Sequence, residues 1–481
     1  MKMFHIIFAM DKRFGIGLNG GLPWPRNPTD MSAFYQTTTR TRIGEYPSKK
    51  NVVIMGRKTW ESIPATHRPL NNRLNVILTR NPEYDPLGQP DSTTLWDGRR
   101  DLDICPDLNT ALERYLTDEH GDVFVIGGAE VYNLALRDYR LGEVFVTEFG
   151  GEYQADTYID RELIDPSRFS KVRLLADTDD GQVRYYWMKT YDHPDAVYAE
   201  LCRRILLQGE SITGRNGGVS RITGDVYMDF SLMNGIPVLT GKKILWSKVV
   251  EELLFFIRGD TDTKQLEARN VKFWQWNTTR EFLDSRGLTE YPEGEMGPMY
   301  GFQWRHFNGN YQPGQPCTDG HDQLRELITE IKTNPTSRRL LLTTFNPCAV
   351  GQSVLWPCHG LVVQFFVDTR GGLSCKMYQR SADVFLGLPF NMASYALLTC
   401  ILARLTDLEP RSLHITIGDC HIYDNHVDAV NEYLSRVTHA TPRVRIAEHI
   451  RTLQDVEASS ADDYPLEGYT HSGFIRAPMS A

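Results

Sequence analysis

Two side chains in this sequence are prepared for chemistry by their neighbours, and they lie in opposite halves. Asp30 follows Gly21-Leu22-Pro23-Trp24 and starts a helical stretch in which Phe34 falls on the same face. A carboxylic acid beside an apolar ring has its charged form disfavoured, so its pKa rises toward neutrality, which suits proton delivery. Cys358 follows Pro357 and precedes His359, probed from a half of the chain that offers several arginines. Cationic neighbours draw a thiol pKa down from its usual ~8.5 and favour the nucleophilic thiolate. Cys348 has no adjacent His and matches no motif; it reads as structural.

Glycine turns and polar runs surround these two groups. Met55-Gly56-Arg57-Lys58-Thr59-Trp60 and Val125-Ile126-Gly127-Gly128-Ala129 each pass from a strand through glycine into a helix start. Glycine allows close backbone approach there, and free N–H groups at a helix N-terminus favour a phosphate. In the second half the densest runs are Trp356-Pro357-Cys358-His359, Tyr378-Gln379-Arg380-Ser381-Ala382-Asp383, Leu388-Pro389-Phe390-Asn391 and Gly418-Asp419-Cys420-His421-Ile422-Tyr423, joined by Ser337-Arg338-Arg339 and Glu252. Arg338 and Arg339 pose a geometric question: neighbours on a strand face opposite sides, so both cannot serve one site on their own subunit without a bend.

The elements that must position these residues follow from periodicity. Short runs rich in Val, Ile and aromatics predict strands at 4–10, 51–55, 74–78, 123–126, 144–148 and 183–189, with helices at 30–37, 108–120 and 129–135. Alternation of this kind implies an α/β sheet domain over 1–190. The pattern resets at the short junction 191–194, where Asp195 can cap a new amphipathic helix, and a second, α+β domain follows over 195–481. It carries a helix at 247–257, a loop-rich segment at about 277–320, strands at 340–345, 361–367 and 373–378, and a helix at 392–405 that is apolar almost all round.

Composition bounds the function. The chain has 481 residues, 41% hydrophobic and 23% charged, which are globular proportions. The 52 basic and 61 acidic residues give a net charge of −9, which disfavours bulk nucleic-acid or anionic-membrane binding but leaves room for anionic small molecules held by a few local arginines. No run approaches the roughly 18 apolar residues of a membrane span. The eight cysteines show no CxxC pair, so neither a disulfide scaffold nor a zinc ribbon is expected, no metal site is expected, and the protein should reside in the cytoplasm or another reducing space.

Over residues 3–190 the sequence resembles dihydrofolate reductase, through Leu22-Pro23-Trp24, Asp30, Met55–Trp60, Arg68-Pro69-Leu70 with Arg73, Ile126-Gly127-Gly128 with Tyr132, and Thr147. The resemblance implies an N-terminal mixed-sheet domain that transfers hydride from NADPH to dihydrofolate. Asp30 would be the pterin carboxylate braced by Thr147, Phe34 would flank the pterin, and Arg73 would pair with the glutamate-tail carboxylate. Ala9, Gly56, Arg57, Lys58, Thr59, Thr79, Arg80, Gly127, Gly128 and Tyr132 would hold the cofactor. Phe8 stands where a smaller aliphatic is usual, Trp24–Pro28 is an unusual approach to Asp30, and 37–48 looks like an insertion.

Residues 195–481 resemble thymidylate synthase, most specifically through YQRSADVFLGLPFN at 378–391. The implied reaction is reductive methylation of dUMP by methylenetetrahydrofolate, with Cys358 attacking the uracil ring. Arg215, Arg380 and Ser381 would bind the phosphate, with Arg338 and Arg339 donated by a second copy across a homodimer interface, which answers the geometric question. Gln379, Asn391, His421 and Tyr423 would complete the dUMP site. Glu252, Tyr300 and His359 would act around the reacting ring, and Trp274 and Asp383 would contact folate. Thr213–Gly218 departs from the usual phosphate loop, Trp356 replaces a common proline, and the chain ends in a small residue, Ala481. Together the two resemblances point to the protozoan family in which both activities share one chain. The rival reading is a nucleotide- or folate-binding protein with one catalytically impaired domain.

Overall fold

The computed structural model describes residues 2–40, 49–86, 101–117, 119–138, 140–164, 169–178, 183–191, 193–213, 219–224, 226–233 and 235–478. The chain divides into two compact units, Met1–Tyr191 and Asp192–Ala481.

The first unit is built on eight strands: β1 Phe4–Asp11, β2 Asn51–Gly56, β3 Arg73–Leu78, β4 Leu102–Cys105, β5 Val123–Gly127, β6 Leu141–Phe149, β7 Phe169–Asp177 and β8 Val183–Thr190. Their order is β4-β3-β2-β5-β1-β6-β8-β7. The first six are parallel and the last two antiparallel, so the sheet is mixed. The parallel strands read as continuous apolar runs because helices cover both faces. Helix α1 (Pro28–Thr39) begins two residues before Asp30: the Asn27 side chain accepts the N–H groups of Thr29 and Asp30, and Pro28 occupies the first turn. Asp30 is therefore not the cap, and its carboxylate is left for other work. Helices α2 (Arg57–Ser62) and α4 (Ala129–Ala135) leave β2 and β5 through glycine, and α3 (Leu108–Tyr115) is capped by Asp107, ending earlier than the periodicity predicts. Of the 37–48 stretch, α1 continues through Thr39; 41–48 lies outside the described residues.

The second unit opens with α5 (Pro194–Gln208), capped by His193 rather than Asp195, whose carboxylate instead accepts from Thr240, Gly241 and Tyr433. Its sheet contains β9 Glu210–Thr213, β10 Val219–Thr223, β11 Val226–Ser231, β12 Leu341–Leu342, β13 Val362–Val367, β14 Gly372–Asp383 and β15 Glu409–Tyr423, in the order β9-β10-β15-β14-β13-β12, with β11 also paired to β15. Strands β14 and β15 are parallel. On β14, Cys375, Met377 and Gln379 face the core while Lys376, Tyr378 and Arg380 face outward. Helix α6 (Trp246–Arg258) ends at Gly259, whose φ of 79° needs no side chain. Helix α7 (Leu388–Leu405) lies against β14 and β15. By length and composition it could cross a membrane, but 83% of it is buried in this unit's own core. Arg338 and Arg339 sit in a turn before β12, not on a strand, and both are exposed.

Candidate active sites

The first unit encloses a cleft of about 2020 Å³ along the C-terminal ends of its parallel strands, where a ligand site in an α/β sheet is expected. Ala9, Asp30, Phe34, Arg73, Thr147 and the glycine-turn residues all line it. Thr147 stands opposite Ala9 on β1 and Tyr185 on β8, which aims its hydroxyl at Asp30. Burial raises the Asp30 pKa, and the hydrogen bond from Thr147 holds it partly back. Trp24, stacked on Phe149 at 4.4 Å, anchors the approach to α1 that looked unusual in sequence.

Arg73 is buried, donating to Thr38 Oγ1 (2.6 Å) and the Asn71 carbonyl (3.0 Å), with its guanidinium 5.7 Å from the Phe34 ring and 5.3 Å from that of Tyr35. Among the described residues no carboxylate pairs with it, so an anion entering the cleft meets a positioned cation. Sequence reading missed Thr38, although Asp30, Phe34 and Thr38 form an i, i+4, i+8 stripe on α1. Asn51 ties that helix end down, donating to the Thr38 and Arg40 carbonyls at 3.0 Å.

At the glycine turns, a Cβ on Gly127 or Gly128 would come within 3.1 Å of the Thr59 side chain. Tyr132 donates to the Ile7 carbonyl (3.0 Å) and packs 5.4 Å from Phe8, which is buried beside the cleft. Lys58, Thr59, Thr79 and Arg80 line the same cleft as these turns. Arg57 lines it too, with its Nη1 held by Glu61 at 2.9 Å in an exposed i, i+4 pair on α2. A cradle that excludes side chains, bordered by cations and a hydroxyl, fits a phosphorylated dinucleotide.

In the second unit Cys358 lies in the loop before β13 and keeps partial exposure. Its N–H donates to Tyr300 Oη (3.0 Å), and that hydroxyl lies 3.3 Å from Sγ. Either atom of this pair can be the donor, and once the sulfur is a thiolate only the hydroxyl can donate. Tyr300 holds a φ of 45°, in the left-handed region that costs a non-glycine residue about 1–3 kcal/mol, so its surroundings must impose the position. They do: Phe256 stacks on it at 5.0 Å, and a Cβ on the next residue, Gly301, would sit 2.3 Å from the Phe256 carbonyl.

Around this pair, His359 stacks on Tyr300 at 4.5 Å and its Nδ1 lies 3.0 Å from Tyr395 Oη. Burial pushes its pKa down to about 3, so the ring is neutral in working solution. Glu252, one turn before Phe256 on α6, accepts from Trp274 Nε1 at 2.8 Å, and burial raises its pKa to about 7. Such a carboxyl can hold and release a proton near neutrality. The Cys358 thiol is raised, not lowered: burial outweighs Tyr300 and the charge of Arg380, while Glu252 adds to the rise. Of the arginines expected to lower it, Arg380 acts on this thiol, while Arg338 and Arg339 are exposed in their turn. Cys348 is exposed, which corrects its reading as a packed structural thiol.

The remaining residues gather on β14, β15 and the start of α7. The Arg380 N–H donates to the Cys358 carbonyl at 2.7 Å, and its Nε reaches the Pro357 carbonyl at 3.3 Å. Gln379 is fully buried, its Nε2 on the Ser381 carbonyl and its Oε1 without a hydrogen-bond partner among the described residues. Ser381 pairs in register with Asp419, and Asp383 with His421. His421 is oriented by Asp419 (2.7 Å), its ring edge-on to Tyr423. Asn391 sits half-buried in the first turn of α7. Asp383 accepts from the N–H groups of Phe385 and Leu386, and its pKa is lowered: burial raises it, but His426 and the Leu386 N–H outweigh that. Arg215 and Ala481 lie outside the described residues, and Trp356 is exposed.

Comparison with known proteins adds an independent finding. Residues 3–192 match the dihydrofolate reductase family and residues 196–481 the thymidylate synthase family. The chain is 36% identical to a bifunctional dihydrofolate reductase–thymidylate synthase of Glycine max, over 97% of this chain and 93% of that protein. It is 38% identical to that of Leishmania major, over 96% and 92%, and 37% identical to a second one of Arabidopsis thaliana, over 97% and 86%.

Proposed function

This chain belongs to the family of bifunctional dihydrofolate reductase–thymidylate synthases, and we propose that its two reactions run on the two groups of residues described above, divided at 1–190, 191–194 and 195–481. It reduces dihydrofolate to tetrahydrofolate with NADPH, and it converts dUMP to dTMP with methylenetetrahydrofolate as co-substrate.

In the reductase, Asp30 holds the amino-pyrimidine edge of the pterin and promotes protonation of the ring nitrogen, Thr147 fixes the carboxylate, and Arg73 takes the tail carboxylate. The Gly127–Gly128 turn, Gly56, Ala9 and Tyr132 form the floor of the cofactor site, with Lys58, Thr59, Thr79, Arg80 and Arg57, once freed from Glu61, at its phosphates. NADPH, when bound, supplies the hydride. In the synthase, the Cys358 thiolate bonds to the uracil ring and makes the adjacent carbon nucleophilic. Tyr300 donates to the sulfur and then assists loss of the ring proton, and Glu252 relays protons. Neutral His359 supports Tyr300 by stacking. Asn391 reads the uracil edge, His421 and Tyr423 the ribose, Gln379 the nucleotide from below, and Trp274 and Asp383 the folate. Arg215, Arg380 and Ser381 take the phosphate with Arg338 and Arg339 of a second copy.

The observation that carries this reading is the Cys358–Tyr300 pair, whose hydroxyl accepts a hydrogen bond from the cysteine backbone and lies 3.3 Å from the sulfur, placed to donate to a thiolate. A homodimer through the second unit is supported by Leu341, Val362, Phe366 and Tyr378, apolar side chains exposed on the outward face of its sheet, the kind of surface that marks an interface. The eight free thiols support a reducing compartment such as the cytoplasm. Separate assays of both reactions on Asp30→Asn and Cys358→Ala test the whole: each substitution is expected to abolish one activity and leave the other within about twofold, as independent sites require. Synthase turnover retained in Cys358→Ala would remove covalent catalysis.

A further inference from the structure

The imidazole of His426 is fully buried, and its two nitrogens face different parts of the synthase unit. Nε2 lies 2.7 Å from the carbonyl oxygen of Pro478, in the C-terminal segment. A carbonyl only accepts, so Nε2 carries a hydrogen and donates it. Nδ1 then faces Oδ1 of Asp383 at 3.7 Å, an ion-pair distance but too long for a hydrogen bond, and it has no hydrogen-bond partner among the described residues. In the neutral ring this arrangement turns a lone pair toward a carboxylate. Adding a proton makes both nitrogens donors and converts repulsion into attraction. The ring is wedged between Tyr423, 5.4 Å away, and Phe385, 5.8 Å away. One buried side chain thus touches the carboxylate read as a folate contact, the tyrosine read as a ribose contact, and the chain's C-terminal segment.

We infer that His426 is a positioning residue that latches the C-terminal segment, through the Pro478 carbonyl, to Asp383, and so couples docking of that segment to the folate subsite. The inference rests on the reading of Asp383 as a folate contact. It does not require His426 to touch any substrate. Burial disfavours the charged ring, but Asp383 and the Pro478 carbonyl outweigh it against the opposing charge of Lys242, and the pKa is raised. Tyr423, the remaining ionisable neighbour, is kept neutral by burial. A histidine pKa raised by the docked arrangement means the latch is complete below the ordinary histidine range, and it loosens as pH rises through the raised value.

The test uses the full chain and reads three quantities: the KM for methylenetetrahydrofolate, the affinity for dUMP, and the rate at which carboxypeptidase trims the dUMP-bound enzyme. His426→Phe removes both contacts. It is expected to raise the folate KM about tenfold and trimming about tenfold, the size of one lost hydrogen bond, while dUMP affinity moves less than about twofold. His426→Gln places an amide donor near the Nε2 position and restores resistance to trimming but not the folate KM; His426→Asn places it near Nδ1 and does the reverse. Trimming of the wild type accelerates as pH rises through and above the ordinary histidine range, and that of His426→Gln does not. Should His426→Phe fail to bind dUMP, the Gln and Asn pair decides. Wild-type folate KM and trimming in His426→Phe, or equal loss of both in the Gln and Asn variants, overturns the latch. An unchanged folate KM in Asp383→Asn overturns the reading of Asp383 instead and leaves trimming to judge the latch.

Discussion

The reductase cleft holds a buried, positioned cation, whereas two of the arginines read as phosphate ligands of the synthase are exposed. In the first unit Arg73 is 3% exposed, set by Thr38 and the Asn71 carbonyl with two aromatic rings against it, so one chain completes an anion site. In the second, Cys358 feels Arg380, while Arg338 and Arg339 project into solvent from a turn. Desolvation acts alike in both places, raising Asp30, Glu252 and Cys358. For the two carboxyls the rise is useful, since a proton must be held near neutrality. For the thiol it is a handicap, offset in part by the Tyr300 hydroxyl and the charge of Arg380. The difference teaches that the same burial can finish one catalytic group and leave another unfinished, depending on which charged form the reaction needs.

The strongest attempt to break this contrast is complementation. Arg338→Ala with Arg339→Ala should cost about a thousandfold or more in synthase kcat/KM, comparable to loss of a group acting as part of a catalytic unit. Mixed with Cys358→Ala, itself inactive, the double variant should recover about a quarter of wild-type activity, because random exchange makes half the dimers hybrid and each hybrid holds one intact site. Failure to recover any activity would mean the arginines serve their own chain. Arg73→Leu should raise the KM for dihydrofolate by about a hundredfold, the scale of lost charge-assisted hydrogen bonds, with synthase turnover unchanged. Steady-state titration of both substrates checks this, and a synthase defect would show that the first site is not self-sufficient.

Smaller effects sharpen the comparison. Removing the Thr147 hydroxyl in Thr147→Val takes away the interaction that holds the Asp30 pKa down, so the reductase pH–rate profile should shift to higher pH and kcat/KM should fall about tenfold. A downward shift would contradict the assignment. Glu252 offers a stability readout. A carboxyl raised from 4.5 to about 7 by burial binds its proton more tightly folded than unfolded, so its contribution is intact below pH 4.5 and declines as pH rises through about 7. At about pH 8 the neutral Glu252→Gln should therefore unfold later than the wild type, by up to about 3 kcal/mol, even as synthase activity collapses. Thermal melting at about pH 4 and pH 8 decides it, since the gain should vanish at the lower pH.

Much of this was legible before any coordinates. The strands of the first sheet announce themselves as Val- and Ile-rich runs because both of their faces are covered, and α7 as an all-round apolar helix because it is enclosed. The 15-residue β15 was not legible: the alternation of polar Ser412, His414 and Thr416 with Leu413, Ile415 and Ile417 is broken by Pro410 and Gly418. Helix α1 was mistimed because Asn27 and Pro28 compete with Asp30 as start signals, and hydrogen bonding settled the matter for Asn27. Thr38 and His426 escaped notice since each acts through a partner distant in sequence, Arg73 and Asp383, and neither sits inside a recognisable run.

Residue type and order alone determined which groups can do chemistry here, because a thiol, a lone carboxyl beside an aromatic ring and a glycine turn carry their reactivity or backbone freedom in covalent structure. Tertiary structure alone decided their protonation and their company. It placed the Tyr300 hydroxyl on Cys358, neutralised His359, lifted Glu252 toward neutrality and left Arg338 and Arg339 exposed in a turn. Those outcomes depend on desolvation and on distances between side chains remote in sequence, and both come into being only when the chain has packed.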